Sequence, residues 1–176
     1  MKNITFYIVK IKYNCYHITN NIYESMFMKR FYLILAILFI FPLSSFADEK
    51  TTFQEMVRSI LQTGGEMKEI TETLQPNSRL YIYKQLPYMK EKINKGEQLM
   101  LSIKEKSLSE IKNSDLQSII QDMSSMQLLT INVAKELLSI YENTGSISNK
   151  DYRSVVGKYE REAKRLQKSL ERYKNM

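Results

Sequence analysis

Histidine and cysteine occur once each in the 176 residues, tryptophan is missing, and there are only five glycines and three prolines. So few turn-forming residues disfavour a β-sandwich, which needs a turn every ten residues or so, and favour long helices. Cys15 and His17 both lie near the N-terminus. From residue 48 onward the chain has neither, which removes the usual zinc ligand sets, di-iron Glu-x-x-His pairs, Cys-x-x-Cys-His haem attachment, and Ser–His or Cys–His catalysis. No glycine-rich phosphate loop follows a strand, because no strand is expected. No cofactor, no metal and no enzymatic activity are therefore expected.

A longer apolar run stands near the start. Lys29-Arg30 precede an unbroken stretch from Phe31 to Phe41, Pro42 ends it, and Leu43-Ser44-Ser45-Phe46-Ala47 places small residues at Ser45 and Ala47. This order of charge, apolar core and small residues is that of a secretory signal peptide over 28–47, with cleavage between Ala47 and Asp48. The run is shorter than the roughly 20 residues that span a bilayer. Residues 1–27 mix Asn, Tyr and Ile without periodicity and are read as an over-extended or disordered segment. The functional domain is then 48–176, exported to the periplasm or secreted, and touching a membrane only through its signal peptide before cleavage.

Removing the leader changes the electrostatics. The whole chain carries 26 Lys+Arg against 19 Asp+Glu, a formal charge of +7. From Asp48 onward the balance is 21 against 18, or +3, too small to argue for a nucleic-acid partner.

Hydrophobic periodicity organises the rest. Apolar residues recur at alternating steps of three and four: Phe53, Val57, Ile60, Gly64, Met67, Thr71, Leu74; then Ile82, Leu86, Met89, Ile93, Gly96, Met100, Ile103; then Leu116, Ile119, Met123, Met126, Thr130, Val133, Leu137, Ile140; then Tyr152, Val156, Tyr159, Ala163, Leu166, Leu170, Tyr173. Such spacing, held over several turns, is that of packed amphipathic helices. It predicts an all-α, antiparallel up-down four-helix bundle with helices at about 52–75, 79–107, 114–142 and 150–174. Pro76-Asn77-Ser78, Asn113 and Ser148 or Asn149 supply helix starts, and Gly145 a left-handed helix end. A second apolar row on the third helix (Ile120, Ile131, Ala134, Leu138, Tyr141) predicts neighbours on two sides. Outside its seam the fourth helix is almost entirely charged, which reads as a solvated face.

Candidate functional residues follow from exceptions to this pattern. Arg79, Tyr81, Lys84 and Tyr88 gather basic and aromatic groups, with Tyr81 and Tyr88 off the seam, a composition suited to protein binding. Gly64, Gly65 and Gly96 inside helices, with Pro87, mark a candidate hinge or groove, against the alternative of close helix approach. Glu66, Glu69 and Glu72 form an acidic row for which a solvated face is the simpler account. The expected function is an exported envelope protein acting by protein–protein contact as an adaptor, inhibitor or chaperone. The alternative is a structural subunit of an envelope or secretion assembly.

Overall fold

A computed structural model of the chain describes residues 47–76 and 82–173. These residues are helical, with no strand among them, and form four long helices: α1 (Ala47–Thr73), α2 (Leu86–Glu110), α3 (Ser114–Thr144) and α4 (Asn149–Tyr173). A short 3-10 turn, Ile82–Lys84, precedes α2. The residues before Ala47 that read as a signal peptide, and Arg79 and Tyr81, lie outside the described residues.

Both ends of α3 and the start of α4 fall where the sequence supplies a cap. The Asn113 side chain accepts from the backbone N–H of Asp115 and Leu116 at 3.0 and 3.1 Å, satisfying two orphan donors at the start of α3. Gly145 closes α3 with φ of +72°, a left-handed conformation glycine adopts without strain, and its N–H returns to the Tyr141 carbonyl at 2.7 Å. Ser148 starts α4: its hydroxyl accepts from Asp151 N–H at 3.1 Å and donates to the Asp151 carboxylate at 2.5 Å.

The start of α2 corrects the sequence expectation. Among the described residues the chain makes the 3-10 turn at Ile82–Lys84, then Gln85, and the helix begins at Leu86. Pro87 falls in the first turn, where its missing N–H costs nothing, so it starts this helix and does not kink it. The same helix also runs to Glu110, past the expected end at 107, although no glycine follows it. The cap comes from its neighbour: the Gln117 side-chain amide donates to the carbonyls of Ser107, Leu108 and Ile111 at 3.2–3.4 Å. Gln121 adds a bond to the Lys104 carbonyl at 2.6 Å.

The packing has a centre. α3 packs on α1, α2 and α4; α1 and α2 touch each other; α4 rests chiefly on α3. The second apolar row explains this, since Ile120, Ile131, Ala134, Leu138 and Tyr141 are all buried beside the first row. α3 thus buries two adjoining stripes along its length, and α1 likewise buries Met56, Thr63 and Ile70 beside its expected seam. The seams of α1 and α2 are buried at nearly every expected position. On α3, Thr130 and Ile140 are half-buried; on α4, Val155 is buried and Val156 and Tyr159 only partly so. No described helix is long and apolar enough to cross a membrane.

Candidate functional site

At one end of the helices, the residues before and within the first turn of α2 meet the last turns of α1 and α3. Ile82 anchors this corner in the core, 2% exposed, and turns its sequence neighbour Tyr83 outward. The Tyr83 ring lies 5.5 Å from that of Tyr141 at a tilt of 55°, a favourable aromatic arrangement. Its hydroxyl rests against the α3–α4 turn, 2.8 Å from where a side chain on Gly145 would begin. Tyr83 nevertheless remains 57% exposed, and Tyr88, one helical turn into α2, 55%. Lys84 and Pro87 are also exposed.

Tyr88 borders a groove between α1 and α2 of about 170 Å³, lined by Glu69, Ile70, Thr73, Gln85, Tyr88, Met89 and Lys92. Buried Ile70 and Met89 give it an apolar floor. The Lys92 ammonium stands 4.8 Å from the Tyr88 ring centroid, in cation–π range. Its pKa is raised, first by the hydrogen bond to Tyr88 and then by the carboxylates of Glu66 and Glu69, against the opposing effect of burial. Lys92 thus places a cation at the rim of the groove. Ligand pockets typically run from about 300 Å³ upward, so this groove fits a side chain better than a metabolite.

The sequence-derived candidates therefore divide. Lys84 and Tyr88 fall on one exposed corner. Gly64 and Gly96 are buried inside unbroken helices. A Cβ on Gly64 would come 2.6 Å from the Gln127 amide nitrogen, and one on Gly96 3.1 Å from a Thr63 methyl, so α1 approaches its neighbours closely at both levels. Gly65 faces open space. Of the acidic row, Glu72 pairs with Lys68 at 3.6 Å, and Glu69 lines the groove. Among the described residues no cluster of three metal-ligating side chains occurs.

Sequence reasoning left Tyr83 and Lys92 out of the site. Tyr83 was recoverable, because the residue after a core anchor such as Ile82 leaves the seam. Lys92 was recoverable as the residue four after Tyr88, on the same helical face. Compared with known protein families, characterised proteins and solved structures, the chain matches none.

Proposed function

We propose that the chain is an exported helical protein that acts by binding another protein through the corner formed by Tyr83, Lys84, Tyr88 and Lys92. The observation that carries this reading is the pair of tyrosines left more than half exposed beside an apolar-floored groove. Tyrosine offers a large rigid apolar face with a polar tip, and it is enriched at interfaces for that reason. Raised Lys92 adds a fixed cation at the rim, and Glu69 an acceptor. Export rests on the signal-peptide pattern over 28–47, with residues 48–176 as the working domain.

The same proposal includes an antiparallel up-down order for the helices. It is supported by the cross-helix pairs Lys90–Glu142, Glu97–Lys135 and Lys104–Ser125, whose numbers rise along α2 while falling along α3. The breaks between α2, α3 and α4 are also short.

Two measurements test the reading together. The N-terminus of the protein accumulated by cells of a bacterial host should be Asp48, and the protein should leave the cytoplasm. A cytoplasmic protein beginning before Lys29 would end the export reading. Affinity capture with wild type and with Tyr83→Ala/Tyr88→Ala should then recover one protein with the first and not the second. Equal recovery with both would end the binding reading.

A further inference from the structure

We propose that the outward face of α4 is a docking surface for an anionic lipid bilayer. The inference is independent of the protein-binding corner and adds a membrane contact to the one the signal peptide makes before cleavage. It starts from a charge separation that the overall balance hides. Residues 149–173 carry eight basic residues (Lys150, Arg153, Lys158, Arg161, Lys164, Arg165, Lys168, Arg172) against four acidic ones (Asp151, Glu160, Glu162, Glu171), a net of +4. Residues 48–148 carry twelve Lys+Arg against fourteen Asp+Glu, a net of −2. The basicity of the domain therefore resides in one helix.

Helical geometry gathers that charge further. At 3.6 residues per turn, Lys150, Arg153, Gly157, Arg161, Lys164 and Lys168 fall within a sector of roughly 80°, opposite the buried seam of Tyr152, Val155, Ala163, Leu166 and Leu170. All six are exposed, and the span from 150 to 168 is about 27 Å at 1.5 Å per residue. The acids sit at the edges of the stripe: Glu160 pairs with Lys164 at 2.6 Å, and Glu162 with Arg165. Among the described residues, Lys150, Arg153, Arg161 and Lys168 have no ion-pair partner. Four cations thus point outward along one side of the helix with no ion pair to neutralise them among the described residues. Gly157 lies in mid-stripe, where a Cβ would meet open space.

Clusters of four to eight Lys/Arg on an amphipathic helix are the composition that adsorbs to acidic lipids. The geometry favours a plane over other polyanions. A straight row on a convex rod meets a flat charged surface with every cation at once, whereas a helical phosphate backbone crosses such a row at few points. Two tyrosines of α4 are turned away: Tyr152 is buried, and the hydroxyl of half-buried Tyr159 donates to Glu136 of α3. Between Lys150 and Lys168 the outer face therefore lacks the aromatic platform on which single-stranded nucleic acid stacks. The apolar face of α4 is already spent on α3, so adsorption is electrostatic, without insertion.

Co-sedimentation with phosphatidylcholine vesicles, with and without phosphatidylglycerol, tests this on the protein as it accumulates in cells. Binding should require phosphatidylglycerol and disappear near 1 M salt, where the screening length is about 3 Å. Arg161→Gln/Lys168→Gln should weaken it by about fivefold per charge, the equivalent of roughly 1 kcal/mol each. Lys106→Gln/Lys112→Gln removes the same net charge from exposed positions off the stripe and should retain binding. Circular dichroism should be unchanged in both variants. Equal binding to both vesicle types, equal loss in the two variants, or displacement from the vesicles by duplex DNA or polyglutamate at matched charge would each overturn the proposal.

Discussion

Gln127 of α3 occupies the space that a side chain on Gly64 of α1 would need, with its amide nitrogen 2.6 Å from the position of the missing Cβ. The glutamine is only 8% exposed, and its side-chain oxygen has no hydrogen-bond partner among the described residues. Gly64 therefore exists to admit Gln127, at the expense of helix propensity. Gly64→Ala gains about 1 kcal/mol of propensity but forces a buried amide aside at an overpacking cost of about 1–3 kcal/mol. The expected net is a loss of about 1 kcal/mol by denaturant titration. Gly65→Ala, next door and facing open space, should gain about 0.5–1 kcal/mol. In a Gln127→Ala background Gly64→Ala should become stabilising; a loss that persists there would show that Gln127 is not the obstacle.

Gly145 links the end of α3 to the binding corner. Its φ of +72° strains any residue with a Cβ, and the Tyr83 hydroxyl, 2.8 Å from the Cβ position, would have to shift. Gly145→Ala should cost about 1–2 kcal/mol from the left-handed backbone alone. Part of any excess over that should vanish in Tyr83→Phe, which removes the hydroxyl. Thermal melts of the two single variants and the double check this, and strict additivity would contradict the described position of Tyr83.

α4 is fastened to α3 by a triad that should make stability depend on pH at both extremes. Glu136 accepts from the Lys158 ammonium and the Tyr159 hydroxyl. Its pKa is lowered, first by the Lys158 hydrogen bond and then by that of Tyr159. Its contribution is therefore present above the ordinary Glu value of about 4.3 and lost as pH falls through the depressed one. Lys158 is raised by its bond to Glu136, and Tyr159 is raised by burial and then by the same carboxylate. Their contributions are present below about pH 10 and lost as pH rises through the raised values. Glu136→Gln should flatten the melting temperature on both limbs. A variant whose profile follows that of wild type at both ends would exclude the triad as the fastening.

The end of α2 depends on a residue of α3. Gln117→Ala removes the amide that satisfies carbonyls after Ser107 and should cost about 1–2 kcal/mol, as loss of a helix cap does. Hydrogen exchange should rise locally between Ser107 and Ile111. Unchanged protection there would mean that the Ile111 N–H bond to Ser107 suffices.

Most of the fold was legible because two kinds of signal coincided. Apolar residues at steps of three and four named the seams of α1 and α2, and Asn113, Gly145 and Ser148 named the two ends of α3 and the start of α4. The remainder depended on tertiary choices that spacing does not encode. Val155 and Val156 fit the period equally well between Tyr152 and Tyr159, and the tilt of α4 on α3 decides for Val155. Residues 82–85 resemble helix by pattern, yet Pro87 has no N–H to donate and is best placed in a first turn, so the α-helix starts at Leu86. The cap of α2 by Gln117 arises across two helices and has no local signature. The binding corner was half legible, because exposure of Tyr88 follows from phase, whereas the groove beside Glu69 exists only once α1 and α2 are packed.

The central claim is that the Tyr83–Tyr88 corner is where this protein meets its partner. Photo-crosslinking from a benzoylphenylalanine placed at position 88 in living cells tests it most directly, with the same probe at exposed Glu110, at the far end of α2, as the comparison. The account predicts one discrete adduct from position 88, absent from position 110 and lost with Tyr83→Ala. No adduct from 88, or the same adduct from both positions, would contradict it.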